Sequence, residues 1–557
     1  MKRLCLYFAI VFSPLAVHSQ EKKQAVVPEV EALLSPFLSE VVKPIEMEKM
    51  ASLALLISTP DAEAGKLTWA GYSFLHAGWD VEAYRHFSQA LRRDENCLMA
   101  HVGVALALAS PHYNEHITQR QSAVIRILEL VEARQDGIYY FPEKERGFAL
   151  AICYLFTEGR AAGVQVFDQL AKKYPKDIQI PLMAATLKRE GYDALGKARF
   201  GEELALEEVW EIYNENPEHP LAAQYLLVMH LDAPVPVEKL EKEILPIARK
   251  LGTHLDVATW SHWLGVFEYR CGNLKRASSA FKQSIDLLER WKKENAIEVA
   301  DADALWKSYL YQAMVEFEMG NTENALAIGD MFKALKVDKK RLWAPGSQLI
   351  LWEGYSLKTR MYVSGGIANV SQALQQLPNK KVLEEFKGDS AALNYYEYLY
   401  VYLEMLKAAA EQNQPMIDQL YSRLVKVEQF LREVEQTALK SGESQSCIRF
   451  YNHARQLGIL SGHLGQKNLA YQSLGLEQAV SMGKLPKRML PPLFFTPLEI
   501  TLSEVLVKRN EAERAQVVIE KALDMRPSSR LMWKELARVA RLRKDEKALS
   551  RAEAALR

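Results

Sequence analysis

The chain has 557 residues, of which 49% are apolar and 25% are charged, as is usual for globular proteins. Seventy Lys and Arg residues balance seventy Asp and Glu residues without a long basic run, which argues against an electrostatic nucleic-acid-binding face. This length exceeds what one compact core accommodates and predicts several domains or one elongated array.

The N-terminus has the pattern of a secretory signal peptide. Lys2 and Arg3 precede an apolar stretch from residue 4 to residue 17, and small residues stand before a cleavage point near Ser19. The apolar stretch is shorter than the roughly 20 residues of a membrane-spanning helix. We therefore expect residues 1–19 to be removed and the mature chain to be exported without a transmembrane segment. Whether it stays in the periplasm or leaves the cell remains open.

Four cysteines follow the predicted signal peptide, and they are far apart in the sequence. They are Cys97, Cys153, Cys271 and Cys447. This spacing is typical of neither a zinc site nor a dense disulfide framework. We interpret them as small apolar residues buried in helices, while a disulfide in an oxidising compartment stays an alternative.

Apolar residues recur at helical spacing along nearly the whole chain. Leu420, Leu424, Val427 and Leu431, for example, are separated by four, three and four positions. Alternating apolar and polar residues, which indicate strands, do not form a convincing run. The pattern predicts an all-α fold and argues against a sheet-based nucleotide-binding core.

Residues 67–95 contain a helix-turn-helix unit with small residues and aromatics at fixed positions. Its informative residues are Leu67, Ala70, Gly71 and Phe74 on the first helix, and Ala83, Phe87 and Ala90 on the second. Small residues allow two helices to approach closely, and aromatic rings fill the space toward the next unit. His76 and His86 fall between these positions. An exposed His86 would tolerate replacement by alanine.

The same arrangement recurs along the chain. Its further packing residues are Gly265, Ala277, Phe281, Gly458, Ala470, Ala515, Ala522 and Pro527. Leu502-Ser503 and Leu536-Ala537 are 34 residues apart, the length of one tetratricopeptide repeat.

The quoted positions resemble the tetratricopeptide-repeat (TPR) family. Residues 78–114, 219–230 with 261–277, and 491–540 are similar to exported bacterial TPR proteins of undefined biochemical role. The resemblance implies an α-solenoid and export, and it implies no particular reaction. The sequence divides into a signal peptide (1–19), a helical lead-in (20–60), a TPR-like block (61–340), a degenerate helical region (341–445) and a C-terminal TPR block (446–557).

Short catalytic motifs are missing from the sequence. It contains no glycine-rich phosphate loop, HExxH, GxSxG or CxxC motif, so we expect neither an enzyme nor a cofactor.

Histidines form two groups along the chain. The first is His76, His86, His101, His112 and His116, and the second is His219, His230, His254 and His262. The spacing of His112 and His116 could present two imidazoles on one helical face, as a metal site requires. Ordinary histidines on the surface or between helices are the favoured interpretation.

Five tyrosines crowd one predicted helix, namely Tyr395, Tyr396, Tyr398, Tyr400 and Tyr402. At 100° per residue they cannot share one face. We expect most of them to pack between helices, with exposed members suited to peptide or carbohydrate binding.

Stacked helix pairs bury their apolar faces only against neighbours and leave a concave inner wall. We therefore predict an exported, non-catalytic scaffold that binds a peptide, a protein or an envelope component on this wall. The alternative is a metal-dependent hydrolase or metal-binding protein that uses the two histidine groups. The oligomeric state remains open.

Overall fold

The computed structural model describes most of the chain between Leu56 and Arg557. The described residues are 56–109, 117–192, 197–231, 233, 235–253, 257–294, 303–335, 354, 356–362, 369–379, 381, 384, 390–441, 477 and 495–557. Several predicted features lie outside these ranges, namely residues 1–19, His112, His116, His254, Cys447, Gly458 and Ala470.

Helices account for most of the described residues. The first ones are α1 (Ala62–His76), α2 (Asp80–Arg93), α3 (Leu98–Ala107), α4 (Ile117–Val131), α5 (Glu143–Thr157), α6 (Arg160–Lys173), α7 (Gln179–Lys188), α8 (Phe200–Glu215) and α9 (Pro220–Leu231). A helical turn (Val237–Lys239) and a π-helical stretch (Leu240–Ile244) lead into α10 (Leu245–Gly252). The next are α11 (Ala258–Arg270), α12 (Leu274–Glu294), α13 (Asp303–Glu318), α14 (Thr322–Ala334), α15 (Val370–Gln376), α16 (Ser390–Ala410) and α17 (Gln414–Ser441). The last are α18 (Leu498–Lys508), α19 (Ala512–Met525), α20 (Arg530–Arg543) and α21 (Glu546–Leu556).

These helices pack as successive antiparallel pairs. Short turns join α1 to α2, α5 to α6, α11 to α12 and α20 to α21, and the two helices of each pair are in contact. Each pair also contacts the next, as α2 contacts α3 and α12 contacts α13. The prediction of an all-α solenoid of helix-turn-helix repeats is therefore confirmed, and with it the resemblance to TPR repeats at the level of the fold.

A short β-hairpin connects α4 to α5. Its strands are β1 (Arg134–Gln135) and β2 (Ile138–Tyr139), and Arg134 lies opposite Tyr139. Strands of two residues are too short to show an alternating pattern, so this hairpin was not predicted from the sequence.

The ring of Phe87 lies between two glycines that belong to consecutive first helices of pairs. A Cβ atom at Gly71 would lie 2.5 Å from the ring, and one at Gly103 would lie 2.3 Å from it. Gly265 stands in the same relation to Phe281, at 2.6 Å. Both rings are fully buried. The small residue on the first helix thus makes room for the aromatic residue on the second.

One apolar core runs from α1 to α17, whereas α18–α21 have two smaller cores of their own. The turn after α19 docks the C-terminal pairs onto α11 and α13. Arg526 Nη1 lies 3.3 Å from the buried carboxylate of Glu318, which also accepts a 3.1 Å hydrogen bond from the Tyr269 hydroxyl. Gly272 has a φ of +78°, and a Cβ there would lie 1.9 Å from the carbonyl oxygen of Met525. Contacts distant in sequence therefore hold the C-terminal pairs against the middle of the array.

Three cysteines lie in the described ranges. Cys97, Cys153 and Cys271 are buried and carry free thiols. Burial raises the pKa of Cys97 to about 11, which keeps that thiol protonated. None of the helices in the described ranges combines the length and the hydropathy that a membrane crossing requires.

Candidate peptide-binding groove

The N-terminal ends of three consecutive first helices, α3, α5 and α7, surround a small pocket. Its walls are Leu56, Met99, Lys144, Glu145, Phe148, Asp177, Gln179 and Ile180. We call these residues the inner groove, because the first helices of stacked pairs line the inner side of a solenoid. Met99 and Phe148 make its floor apolar, while Lys144, Glu145 and Asp177 make its sides charged.

The chain itself lies across this groove just before α1. The segment 56–60 is not helical, and the main-chain N–H of Ser58 donates to both carboxylate oxygens of Glu145, each at 3.2 Å. The hydroxyl of Thr59 donates to Asp94 Oδ2 at 2.6 Å. Asp61 then accepts the N–H groups of Glu63 and Ala64 at 2.9 Å and caps α1. A non-helical peptide segment thus occupies the groove through one main-chain and one side-chain hydrogen bond.

Glu145 is an unusual partner for a main-chain N–H because it is almost completely buried, with 2% of its surface exposed. Burial raises the pKa of Glu145 to about 7, while hydrogen bonds from the side chain and the main-chain N–H of Ser58 favour the ionised form and oppose that shift. Ser58 therefore offsets part of the cost of enclosing this carboxylate.

An ion pair closes one side of the groove. Lys144 Nζ lies 2.5 Å from Asp177 Oδ2, and the other oxygen of Asp177 accepts the Ile180 N–H at 2.9 Å, in the first turn of α7. The Lys144 side chain stays 25% exposed, so it is the charged wall residue that solvent and a partner can reach.

A buried chain of hydrogen bonds next to the groove contains His76. Its Nε2 lies 2.8 Å from the Gln179 side-chain nitrogen, and its Nδ1 lies 2.8 Å from the Tyr225 hydroxyl, which donates to Met183 Sδ at 3.3 Å. Because the amide nitrogen can only donate, Nε2 accepts and Nδ1 carries the proton. Burial lowers the pKa of His76 to about 3, which keeps this imidazole neutral.

The same cluster continues into α11. The Gln224 side-chain amide donates to the His76 carbonyl, and Trp260 Nε1 donates to Gln224 Oε1 at 2.8 Å. These residues tie the end of α1 to α7, α9 and α11. Buried hydrogen bonds therefore hold the first pair to later pairs.

A second buried polar cluster joins α2 to α12. Trp291 Nε1 donates to Glu82 Oε2 at 2.7 Å, and Arg85 Nη1 lies 3.2 Å from the same oxygen. Trp79 packs edge-on against Trp291, with ring centroids 4.8 Å apart. Solvent hardly reaches these groups, so the cluster is part of the buried contact between α2 and α12.

Apart from His219, the described histidines are buried, and they lie at separate places that do not form a ligand set. His86 Nδ1 donates to the Glu82 carbonyl, His230 Nδ1 to the Leu226 carbonyl, and His262 Nδ1 lies 2.9 Å from the Ser308 hydroxyl. Within the described residues, no three His, Cys, Asp or Glu side chains are grouped as a metal site would need.

His86 is not exposed, so tolerance of its replacement by alanine is no longer expected. His86 is 1% exposed because its ring packs against Phe74, with centroids 4.8 Å apart. His101 is equally buried, with Nε2 2.8 Å from the Glu95 carbonyl, whereas His219 is partly exposed.

The predicted packing residues differ in their exposure to solvent. The buried ones are Gly71, Phe74, Ala83, Phe87, Ala90, Gly265, Ala277, Phe281, Ala515 and Ala522. Ala70 is partly exposed and Pro527 is exposed.

Four tyrosines of α16 form two stacked pairs on different faces of the helix. Tyr396 stacks on Tyr400, and Tyr398 stacks on Tyr402. Tyr398 and Tyr402 are buried, whereas Tyr396 and Tyr400 are partly exposed.

The residues of the inner groove were not predicted from the sequence. Glu145 is one of seventy acidic residues, and Ser58 lies in a region that we predicted only as a helical lead-in. The one available signal was the Ser-Thr-Pro-Asp sequence at 58–61, which is typical of a helix start.

Comparisons with known proteins add no functional assignment. No protein-family model and no curated protein sequence matches the chain. Solved structures that match include Naa15/Naa10 bound to HypK-THB, at 13% identity over 87% of this chain and 67% of that one, with a TM-score of 0.19. A monomeric mutant of IFIT1 with Gppp-AAAA matches at 12% identity over 95% and 98% of the two chains, with a TM-score of 0.34. The P58(IPK) TPR domain matches at 13% identity over 76% and 98%, with a TM-score of 0.18. Because these TM-scores are low, the assignment of the fold rests on the helix pairing seen in this chain.

Proposed function

We propose that the chain is an exported, non-catalytic scaffold that binds a peptide, protein or envelope component, with the inner groove as its recognition site for a peptide segment. The observation that carries this proposal is the pairing of the Ser58 main-chain N–H with the buried Glu145. A groove that holds one non-helical segment through its main chain has the chemistry to hold another.

The composition of the groove supports this function. Met99 and Phe148 offer an apolar floor, and the partly exposed Lys144, which pairs with the buried carboxylate of Asp177, offers a positive charge at the rim. Protein-binding sites commonly combine an apolar centre with a polar rim.

Selection from a random peptide library tests the proposal. The bait is the full chain, used in parallel with its Ser58→Pro variant, which lacks the N–H that reaches Glu145. We expect peptides whose affinity falls at least tenfold with Lys144→Glu, at the rim of the groove. The matched control is Lys172→Glu on the exposed side of α6, which should leave the affinity unchanged. Peptides unaffected by Lys144→Glu, or no binding peptides at all, would contradict the proposal.

Export has its own test. A chain expressed in a bacterial host with its native N-terminus should be recovered outside the cytoplasm, and N-terminal sequencing should place its first residue near Gln20. Recovery of the unprocessed chain from the cytoplasm alone would contradict export.

A further inference from the structure

We propose that copies of this chain associate with one another, the exposed face of α8 in one copy packing antiparallel on the exposed face of α20 in another. Neither face lines the inner groove, so this association goes beyond the peptide binding proposed above and does not depend on it. Its basis is a match in charge and in spacing between two faces of the same chain.

The exposed face of α8 is acidic along its whole length. Glu203, Glu207, Glu211 and Glu215 are exposed and follow one another at four-residue spacing, which places them on one side of the helix. No Lys or Arg lies between residues 200 and 218. Within the described residues these four glutamates form no ion pair, and like charges at this spacing destabilise a helix. The row of glutamates therefore does not support α8 itself.

A large apolar side chain stands at the start of this acidic face. Phe200 is 72% exposed, and it precedes Glu203 by three residues and Glu207 by seven. That spacing puts the ring on the same side of the helix as the glutamates. Most of its apolar surface is left uncovered by the described residues and is available to another chain.

The exposed face of α20 has the opposite charge. Residues 530–557, which form α20 and α21, contain nine Lys and Arg residues but only four Asp and Glu residues. Lys534 and Arg541 are exposed and seven residues apart, so they lie on one side of α20. Arg541 pairs with Glu553 of α21 at 2.8 Å, but both side chains are about half exposed, and such surface pairs are weak. An acidic partner can therefore engage both cations.

Leu542 gives the basic face an exposed apolar side chain at one end. It is 57% exposed and follows Lys534 by eight residues. Phe200 stands at the N-terminal end of α8, whereas Leu542 stands at the C-terminal end of α20. Antiparallel packing of the two helices brings these apolar side chains together.

The spacing of the charges agrees with this alignment. At 1.5 Å per residue, Glu207 lies about 10 Å along α8 from Phe200, and Lys534 lies about 12 Å along α20 from Leu542. Glu203 falls between Phe200 and Glu207, within reach of the long Arg541 side chain. The contact thus combines an apolar pair with two pairs of opposite charge, as protein interfaces combine apolar centres with polar rims.

Sedimentation velocity of the full chain tests the association. At about 0.1 M salt the native chain should sediment as assemblies of two or more copies, and at about 1 M salt, where screening is strong, it should dissociate. A native chain that is monomeric at both salt concentrations would overturn the inference. Binding of that monomer to anionic phospholipid vesicles or to RNA through Lys534 and Arg541 would assign the basic face to another partner and would equally overturn it.

Charge reversal tests which faces meet. Glu203→Lys combined with Glu207→Lys reverses the acidic face, and Lys534→Glu combined with Arg541→Glu reverses the basic face. Each double variant should raise the dissociation constant for self-association about tenfold or more. A mixture of the two double variants should associate again, because a basic α8 then meets an acidic α20. A mixture that stays monomeric would contradict the proposed pairing.

The controls are charge reversals at exposed residues elsewhere. Glu132→Lys, after α4, and Lys172→Glu, on α6, should leave the dissociation constant unchanged, and circular dichroism checks that each variant is folded. If the double variants do not fold, Phe200→Ser and Leu542→Ser test the same contact through its apolar pair and should each weaken association. Controls that weaken association as much as the face variants would show that the contact lies elsewhere.

Discussion

Nδ1 of His76 donates to the hydroxyl of Tyr225, which lies 149 residues later in the chain. Replacing His76 by Leu should remove the link between α1 and α9 and leave Gln179 without its partner. We expect a loss of about 1–3 kcal/mol for each buried polar group that loses its hydrogen bond, measured by urea unfolding at pH 7. His219→Ala, at a partly exposed residue, is the control and should cost much less. Equal losses of unfolding free energy in the two variants would show that these buried hydrogen bonds do not stabilise the contact between α1 and α9.

Acid should destabilise the N-terminal pairs through their buried histidines. Burial lowers the pKa of His76 and His262 to about 3 and of His101 and His230 to about 4. Below pH 6.5 the unfolded chain binds protons that the folded chain rejects, so the free energy of unfolding falls as the pH drops toward 4. The slope between pH 6.5 and 4 should be smaller in His262→Gln, and an unchanged slope would contradict the buried neutral state of that imidazole.

Glu145 should act in the opposite direction. Below pH 4.5 its carboxyl is protonated in both states, and between pH 4.5 and about 7 only the unfolded chain releases the proton. Stability contributed by this group therefore falls as the pH rises, by roughly 3 kcal/mol across that interval. Comparing urea unfolding of the native chain and of Glu145→Gln at pH 4.5 and pH 7.5 isolates the contribution of Glu145 to the free energy of unfolding. If Glu145→Gln is no more stable relative to the native chain at pH 7.5 than at pH 4.5, the raised pKa of Glu145 is disproved.

The space beside Phe87 should not accept a larger residue. Gly103→Ala would place a methyl group 2.3 Å from a rigid ring that Gly71 already confines on its other side. Overpacking of this kind costs about 1–3 kcal/mol, seen as a lower thermal midpoint. Gly147→Ala is the matched control, because its methyl group would meet only the flexible end of Leu170. A larger loss in the control would contradict the proposed packing.

The C-terminal pairs should depend on Arg526. Arg526→Met leaves the buried Glu318 without its cation, and breaking a buried pair costs about 3–5 kcal/mol. Limited proteolysis should then cut faster near residue 526. Arg551→Met removes an exposed pair with Glu520 and should cost less than about 1 kcal/mol. Similar cleavage rates in the two variants would show that the Arg526 contact does not dock this region.

Local spacing explains why the fold was predictable and the groove was not. Gly71 and Phe87 belong to one helix pair, so the unit that brings them together is visible within about thirty residues of sequence. Ser58 and Glu145 are 87 residues apart and show no periodicity relative to each other. The burial of His86 could not be predicted for a related reason. His86 is buried because it packs against Phe74, and this contact is not visible in the sequence pattern.

The sequence by itself determined the helices, the helix-turn-helix unit and the positions where small and aromatic residues meet, because these depend on the 3.6-residue period and on short turns. Only the tertiary structure decided which distant residues touch. The packing of successive helix pairs against one another decides that His76 meets Tyr225, that Arg526 meets Glu318 and that Ser58 meets Glu145.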